Sequence, residues 1–408
     1  MLSYLIWNGN PEIIALGPFS LRWYGLLFAL GFLISQQILY YIYRTEGKPE
    51  KDVDTLTVYM VIATILGARL GHVVFYQPEM FLEDPLGVFL PFQFSPFRFT
   101  GFTGIASHGG AIGILLALWI YSRYSITFSK TDVALVDAKD ESGEVKKKEK
   151  KGLFITRRNK EGQSYLQVLD RIVILVALTG ALIRTGNYFN SEIIGKPYNG
   201  PTSVVFTGRI TEAIMSEGQE SKPIDFMEIK KNKDLPAGQL GRVPIDIYLL
   251  FKPGTTEPEA RRFVYSHVQF YLNRLTDFVD EPAGNTLNFQ LMTEPSGTLA
   301  TRITTFGIAR HPAQLYEAIS CVLLFLVLLG IWFKYKKDLP EGRIFGIFMI
   351  ILWTLRFSYE FLKENQVRFE DSLPLNMGQI LSIPLVLVGV VVLIYSFSDK
   401  AKRLNPQS

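Results

Sequence analysis

Cysteine occurs once in the chain, as Cys321 inside an apolar run. One cysteine permits no intrachain disulfide and no cysteine-based metal site. A small buried side chain is the ordinary role for such a residue. A basic leader is also missing: MLSYLIWNGN carries no lysine or arginine, so no secretory signal is expected here. No segment repeats. Charge is scarce too, but only locally. Charged residues make up 20% of the chain and hydrophobic ones 48%, with a mean hydropathy of +0.18. So apolar a chain with that much charge must keep the two apart, and long uncharged runs do alternate with charged stretches.

Runs of about 18 or more residues with almost no charge are candidates to cross a membrane. Seven are present, at 20–43, 55–76, 104–122, 166–183, 312–333, 344–362 and 380–397. Pro384 kinks the last without excluding it, because neighbouring helices satisfy the freed carbonyl. Short basic loops stay cytoplasmic. Arg44, Lys48 and Lys51 follow the first run, KKKEKKGLFITRR the third, KYKKDLPEGR the fifth and DKAKRL the seventh. Seven alternating spans put all four on one side. The opposite loops are poor in Lys and Arg: 1–19 has none and 77–103 only Arg98. The expected N-terminus is therefore outside and the C-terminus cytoplasmic.

The expected fold is an all-α polytopic membrane protein of seven transmembrane helices with an inserted small α+β extracytoplasmic domain. Residues 1–197 hold the first four spans, including a charged cytoplasmic insertion at 123–165. The stretch DAKDESGEVKKKEKKG there reads as a mobile, solvated hairpin or loop, or as a contact for anionic headgroups. Residues 198–311 form the outer domain, with strand-like TSVVFTGRI, VPIDIYLLF and LNFQLM. EPEARRFVYSHVQFYLNRLTDF reads as an amphipathic helix with Pro258 in its first turn. Residues 312–408 hold the last three spans and a cytoplasmic tail.

Ionisable residues inside spans are costly and usually face the protein interior or a watery cavity. Those singled out, within or directly beside the spans, are Arg22, Arg69, His72, His108, Arg184, Arg310, His311, Glu317, Arg356 and Glu360. Under the expected topology all fall in the outer half. Arg22, Trp23 and Tyr24 also fit interfacial anchors. Arg356 and Glu360 are i, i+4 and share a helix face, as a structural ion pair also would. Arginine's planar fork suits phosphate oxygens, so Arg69, Arg184 and Arg356 at one depth point to a phospholipid headgroup. His108 stands before Gly109 and Gly110, which let a backbone approach a ligand or another helix. It fits a capping or packing residue, or a group that accepts a proton near neutral pH. In GALIRTGNYFNSEIIGKP, Arg184, Asn187, Asn190, Glu192 and Gly195 crowd the end of an apolar run.

The blocks LRWYGLLFALGF, GARLGHVVFY, SHGGAIG, RTGNYFNSEIIG, RHPAQLYE, LRFSYEF and NMGQILSIP occur in that order. Together they make the chain resemble the bacterial phosphatidylglycerol–prolipoprotein diacylglyceryl transferases, RTGNYFNSEIIG being the most specific block. The resemblance implies an enzyme of the bacterial inner membrane. It would move the diacylglyceryl group of phosphatidylglycerol onto the lipobox cysteine of a preprolipoprotein signal peptide. A thioether forms and glycerol phosphate leaves, with no metal or soluble cofactor. The implied partners are those two substrates and membrane lipids, with no nucleic acid. The implied catalytic residues are His108, Arg184, Arg356 and Glu360. Substrate contacts fall on Tyr24, Arg69, Gly109, Gly110, Asn187, Asn190, Glu192 and Gly195. Leu352 stands where the family has a tyrosine, one turn before Arg356. Ala181 and Ile183 flank the place where the signature has glycine. The 123–165 and 198–311 segments are longer than the family implies.

Two rival readings stand beside this one. A transporter or channel also places Arg, His and Glu within spans, but it gathers them near the midplane, often in repeats. A scaffold uses glycines for helix packing, which leaves three arginines at one depth unexplained.

Overall fold

The computed structural model describes residues 4–16, 19–89, 92–94, 97–99, 106–132, 150–157, 162–215, 222–281, 286–364, 374–399 and 401. Seven long helices carry the apolar runs. They are α1 (Trp23–Thr45), α2 (Lys51–Tyr76), α3 (Ser107–Arg123), α4 (Tyr165–Phe189), α5 (Ala313–Tyr335), α6 (Arg343–Tyr359) and α7 (Met377–Tyr395). Among the described residues six helices are long and apolar enough to cross a membrane. The exception is α3, with 17 residues. Its start is set by Ala106, which is extended (φ −109°, ψ 122°) and donates its N–H to Ala68 O at 2.9 Å. The expected span over 104–122 is thus a shorter helix.

The fourth expected span also changes, because α4 runs past Arg184 to Phe189. Hydropathy stops at the arginine, but the helical ladder continues as far as Asn190 N–H on Gly186 O at 3.1 Å. At Gly186 this extension packs closely on the start of α1: a Cβ there would lie 3.0 Å from the Tyr24 backbone.

The chain forms two compact units. The first comprises residues 1–33, 176–327 and 349–388; the second comprises 34–175, 328–348 and 389–408. The first unit contains a mixed sheet of β1 (Tyr4–Trp7), β2 (Ser203–Phe206), β3 (Ile224–Lys231), β4 (Arg242–Phe251), β5 (Asn288–Thr293) and β6 (Leu299–Arg310). Its order is β1–β2–β6–β4–β3, with β5 also paired to β6. Only β1 and β2 run parallel, Tyr4 opposite Ser203. The long strand β6 pairs with β4, β5 and β2 and ends at Arg310, directly before α5.

β2, β4 and β5 match strand-like pieces of the sequence. β1, β3 and β6 were not anticipated, and β1 comes from outside residues 198–311. TSVVFTGRI itself splits: its end opens a short helix, Gly208–Met215. The expected amphipathic helix begins at Glu257 on a Thr256–Glu259 capping box and passes through a π turn, Val264–Val268, to Leu272. Its apolar side, with Phe263, Val264, Val268 and Leu272, joins Val243, Ile245, Ile247 and Ile303 of the sheet in one core.

In the second unit, α2 and α3 meet glycine to glycine. A Cβ on Gly67 would lie 2.5 Å from Gly109 O, and one on Gly71 would lie 2.6 Å from Gly109 Cα. Small residues of this kind let helix backbones come together in lipid. The 123–165 segment pairs Tyr124–Asp132 with Lys150–Arg157 as an antiparallel hairpin. Most of its charged run lies outside the described residues.

Candidate functional site

Five charged residues of the first unit meet through two glutamates, Glu317 and Glu360. Arg184 of α4 holds Glu317 of α5, Nε to Oε2, at 2.6 Å. The other Glu317 oxygen takes the Lys363 ammonium. Lys363 also reaches Glu360 Oε1 at 3.5 Å. Glu360 stands 3.8 Å from Arg356 Nη2 and accepts from Asn376 Nδ2 at 3.3 Å. One network therefore joins Arg184, Glu317, Lys363, Glu360 and Arg356.

Local sequence explains the placement. Arg356 and Glu360 are spaced i, i+4, and Lys363 follows in extended conformation (φ −101°, ψ 153°) just past the end of the helix. Glu360 and its neighbours to Leu362 form a 3₁₀ turn that ends α6. The Asn376 and Gln379 side chains cap each other's backbone N–H at the start of α7, at 2.9 and 3.1 Å. Gly378 then leaves room for the carboxylate, since a Cβ there would lie 2.7 Å from Glu360 Cδ. Arg356 rests over the Trp353 ring at 5.8 Å. The side chains of Arg184 and Arg356 remain 22% and 33% exposed, so both guanidinium groups keep donors within reach of an anion.

The signature segment folds around Glu192. Its carboxylate takes Asn187 Nδ2 and Asn190 Nδ2, each at 3.5 Å, and Arg209 Nη2 at 3.3 Å. Its backbone carbonyl takes the Gln314 amide. Ser191 and Ile193 adopt positive φ, 52° and 55°, a conformation that non-glycine residues hold only when their surroundings enforce it. Gly195 donates to His311 O at 3.0 Å, and a Cβ there would lie 2.6 Å from His311 Cβ. Its glycine is required by close chain contact. His311 stacks on Tyr198 with centroids 3.9 Å apart, and burial holds its imidazole below its ordinary pKa. Arg310 ties this corner to Gly195 O at 3.1 Å and Glu364 at 2.8 Å. Tyr24 packs on Gly186, as its position at the start of α1 allows.

Arg69, His108, Gly109 and Gly110 lie in the second unit. Arg69 is buried and donates to Gly87 O at 3.0 Å and toward Met80 Sδ at 3.3 Å. His108 is exposed at the second position of α3. Gly109 is the close point of the α2–α3 contact, and a Cβ on Gly110 would touch Ala68 at 3.6 Å. Each unit thus brings together its own subset of the expected residues: Tyr24, Arg184, Asn187, Asn190, Glu192, Gly195, Arg356 and Glu360 in the first, these four in the second.

Lys363 and Asn376 were missed by sequence reasoning, and Glu317 was noted as ionisable but given no place in the site. A lysine at the end of a span reads as an interfacial anchor. Only its i, i+3 spacing from Glu360 hinted that it turns inward.

Compared with known proteins, residues 11–138 and 151–395 match the family model described as prolipoprotein diacylglyceryl transferase. A Bacteroides fragilis protein named phosphatidylglycerol–prolipoprotein diacylglyceryl transferase is 29% identical over 406 residues, 99% of each chain. One of the same name from Tolumonas auensis is 29% identical over 398 residues, covering 98% of this chain and all of its own. A third, from Chloroherpeton thalassium, is 27% identical over 394 residues, 97% of this chain and 95% of its own.

Proposed function

The chain belongs to the prolipoprotein diacylglyceryl transferase family, and from that premise we propose how its residues carry the reaction. It is a membrane transferase that moves the diacylglyceryl group of phosphatidylglycerol onto the thiol of a prolipoprotein cysteine. A sulfur–carbon bond forms at the glycerol carbon, the carbon–oxygen bond to phosphate breaks, and glycerol phosphate leaves with the electron pair. No observation favours the transport alternative.

Arg184 and Arg356 take the phosphate oxygens. As the carbon–oxygen bond breaks, charge grows on the phosphate, and guanidinium donors aimed there lower the barrier. The network through Glu317, Lys363 and Glu360 carries this reading, because it joins the two arginines from different helices while leaving both partly exposed. Glu360 orients Arg356. Tyr24, Asn187 and Asn190 bound the headgroup's surroundings, and Glu192 braces the turn. Arg69, Gly109, Gly110 and Gly195 act by holding or admitting backbone, as their contacts with Gly87, Gly67, Ala68 and His311 support. The attacking group is a thiolate, and His108 is the base that accepts the thiol proton.

For topology we propose seven spans with α3 as the short one. The N-terminus and residues 198–311 lie outside the inner membrane, and the C-terminus lies in the cytoplasm. The run of basic loops supports this orientation.

The test is transfer from phosphatidylglycerol to a lipobox peptide by the purified protein. An unchanged rate in His108→Gln removes the base role. Absence of lipidated peptide with the wild-type protein overturns the reading as a whole.

A further inference from the structure

Lys363 has no part in the steps above, yet it is among the most enclosed charges of its unit. Its side chain is 5% exposed. A buried ammonium persists only when paired, and Lys363 is paired with two carboxylates, Glu317 and Glu360. Three cations, Arg184, Arg356 and Lys363, therefore face two carboxylates. The adjoining arginines are held apart from this network, Arg209 between Glu192 and Glu212 and Arg310 between Glu364 and Asp277. Among the described residues, this five-residue network is left with one positive charge. Without Lys363, two arginines and two glutamates would cancel.

We infer that Lys363 is a positioning residue that sets the site at one net positive charge and so selects a lipid whose headgroup carries a single negative charge. The inference rests on the proposed role of Arg184 and Arg356 as phosphate ligands. Lys363 acts in two ways. It occupies Glu317 and Glu360, so neither carboxylate is left to its arginine alone. Lys363 and Arg356 approach the same Glu360 oxygen, at 3.5 and 3.8 Å. Its charge also offsets the phosphodiester at a place with few water dipoles, where charges interact more strongly than in water. Phosphatidylglycerol brings one negative charge and no cation. A zwitterionic lipid brings an ammonium that the leftover charge repels. A phosphomonoester lipid brings a second negative charge that the site does not balance.

The experiment compares kcat and KM for phosphatidylglycerol in the full-length protein, with a lipobox peptide as acceptor. The variants are Lys363→Arg, Lys363→Met, and Lys363→Met combined with Glu317→Gln. Lys363→Met is expected to raise KM about tenfold or more, the scale of one charged contact, with a smaller change in kcat. Lys363→Arg should stay near wild type. The double variant restores one net positive charge and should recover most of the lost affinity. An unchanged KM in folded Lys363→Met overturns the inference, as does failure of both Lys363→Arg and the double variant to recover it. If Lys363→Met does not fold, Glu317→Gln alone raises the net charge by one. Phosphatidic acid, a phosphomonoester lipid, should then compete several-fold better than against wild type, and unchanged competition overturns the inference. A wild-type protein that transfers nothing instead removes the reading beneath it.

Discussion

Both units of this chain hold buried charged constellations, and two of them, one from each unit, are built from similar side chains in different states of completion. In the second unit, Glu46 accepts from Arg171 Nε and Nη2 at 3.1 and 2.9 Å and from the Trp332 indole at 2.7 Å. It also pairs with Lys48 at 2.6 Å. The Glu46 side chain is fully enclosed, and that of Arg171 is 3% exposed. In the first unit, Arg184 and Arg356 are open at one edge, and Arg356 stands beyond hydrogen-bond reach of its carboxylate. A carboxylate saturated with donors fastens the segments that supply them and has nothing left for a ligand. A guanidinium with unused donors and access is prepared for an anion. Burial of charge alone therefore does not mark a site. Incomplete pairing does.

The sharpest way to break that contrast is to remove one residue from each constellation. Glu46→Ala leaves Arg171 and Lys48 buried against each other without their carboxylate, which should cost about 3–5 kcal/mol. The midpoint of thermal unfolding in detergent should fall markedly, while transfer per folded molecule stays unchanged. Arg184→Ala should do the reverse. Transfer should drop about 10²–10³-fold, as when a donor to the developing charge is removed, and thermal unfolding should shift little. If Glu46→Ala abolishes transfer in folded protein while Arg184→Ala only lowers the melting midpoint, the two constellations have been assigned the wrong way round.

A smaller effect is expected at the α2–α3 contact. Gly109→Ala places a methyl against the Gly67 carbonyl and Gly71 Cα. Overpacking of this kind typically costs about 1–3 kcal/mol. Melting of the purified variant measures the packing role, and a raised KM for phosphatidylglycerol without loss of stability would argue for a direct lipid contact instead.

The smallest concerns His311. Its folded pKa is depressed by burial below the ordinary 6.5. The unfolded chain then takes up a proton first as pH falls, so this contribution is present above pH 6.5 and is lost as pH drops through the folded value. His311→Phe keeps a ring against Tyr198 and should flatten that acid loss. Melting midpoints measured between pH 7 and pH 4.5 read the difference, and identical slopes for the two proteins would rule the contribution out.

Much of the fold was legible because hydrophobic length is a local signal. The apolar runs became helices, six of them among the described residues long and apolar enough to cross a membrane, including α7 with Pro384 inside it. The errors came where another force ends or continues an element. Arg184 ended the apolar run but not α4, because backbone hydrogen bonding does not depend on hydropathy. The extended Ala106 started α3 later than its composition implied. β6 was missed although it pairs with three other strands: LATRITTFGIAR alternates weakly, and its burial comes from neighbours brought in from 203–206, 242–251 and 288–293.

By itself the sequence determined that this is a chain of long apolar helices, and which residues carry the family's blocks, because residue types and their spacing are local properties. Only the tertiary structure decided how those residues are used. It joined Arg184 to Arg356 through Glu317, Lys363 and Glu360. It gave Gly109 to a neighbouring helix and Gly195 to the His311 corner. The physical reason is that ionic and packing energies depend on distance in space and on burial. Partners far apart along the chain acquire both only when the helices that carry them pack.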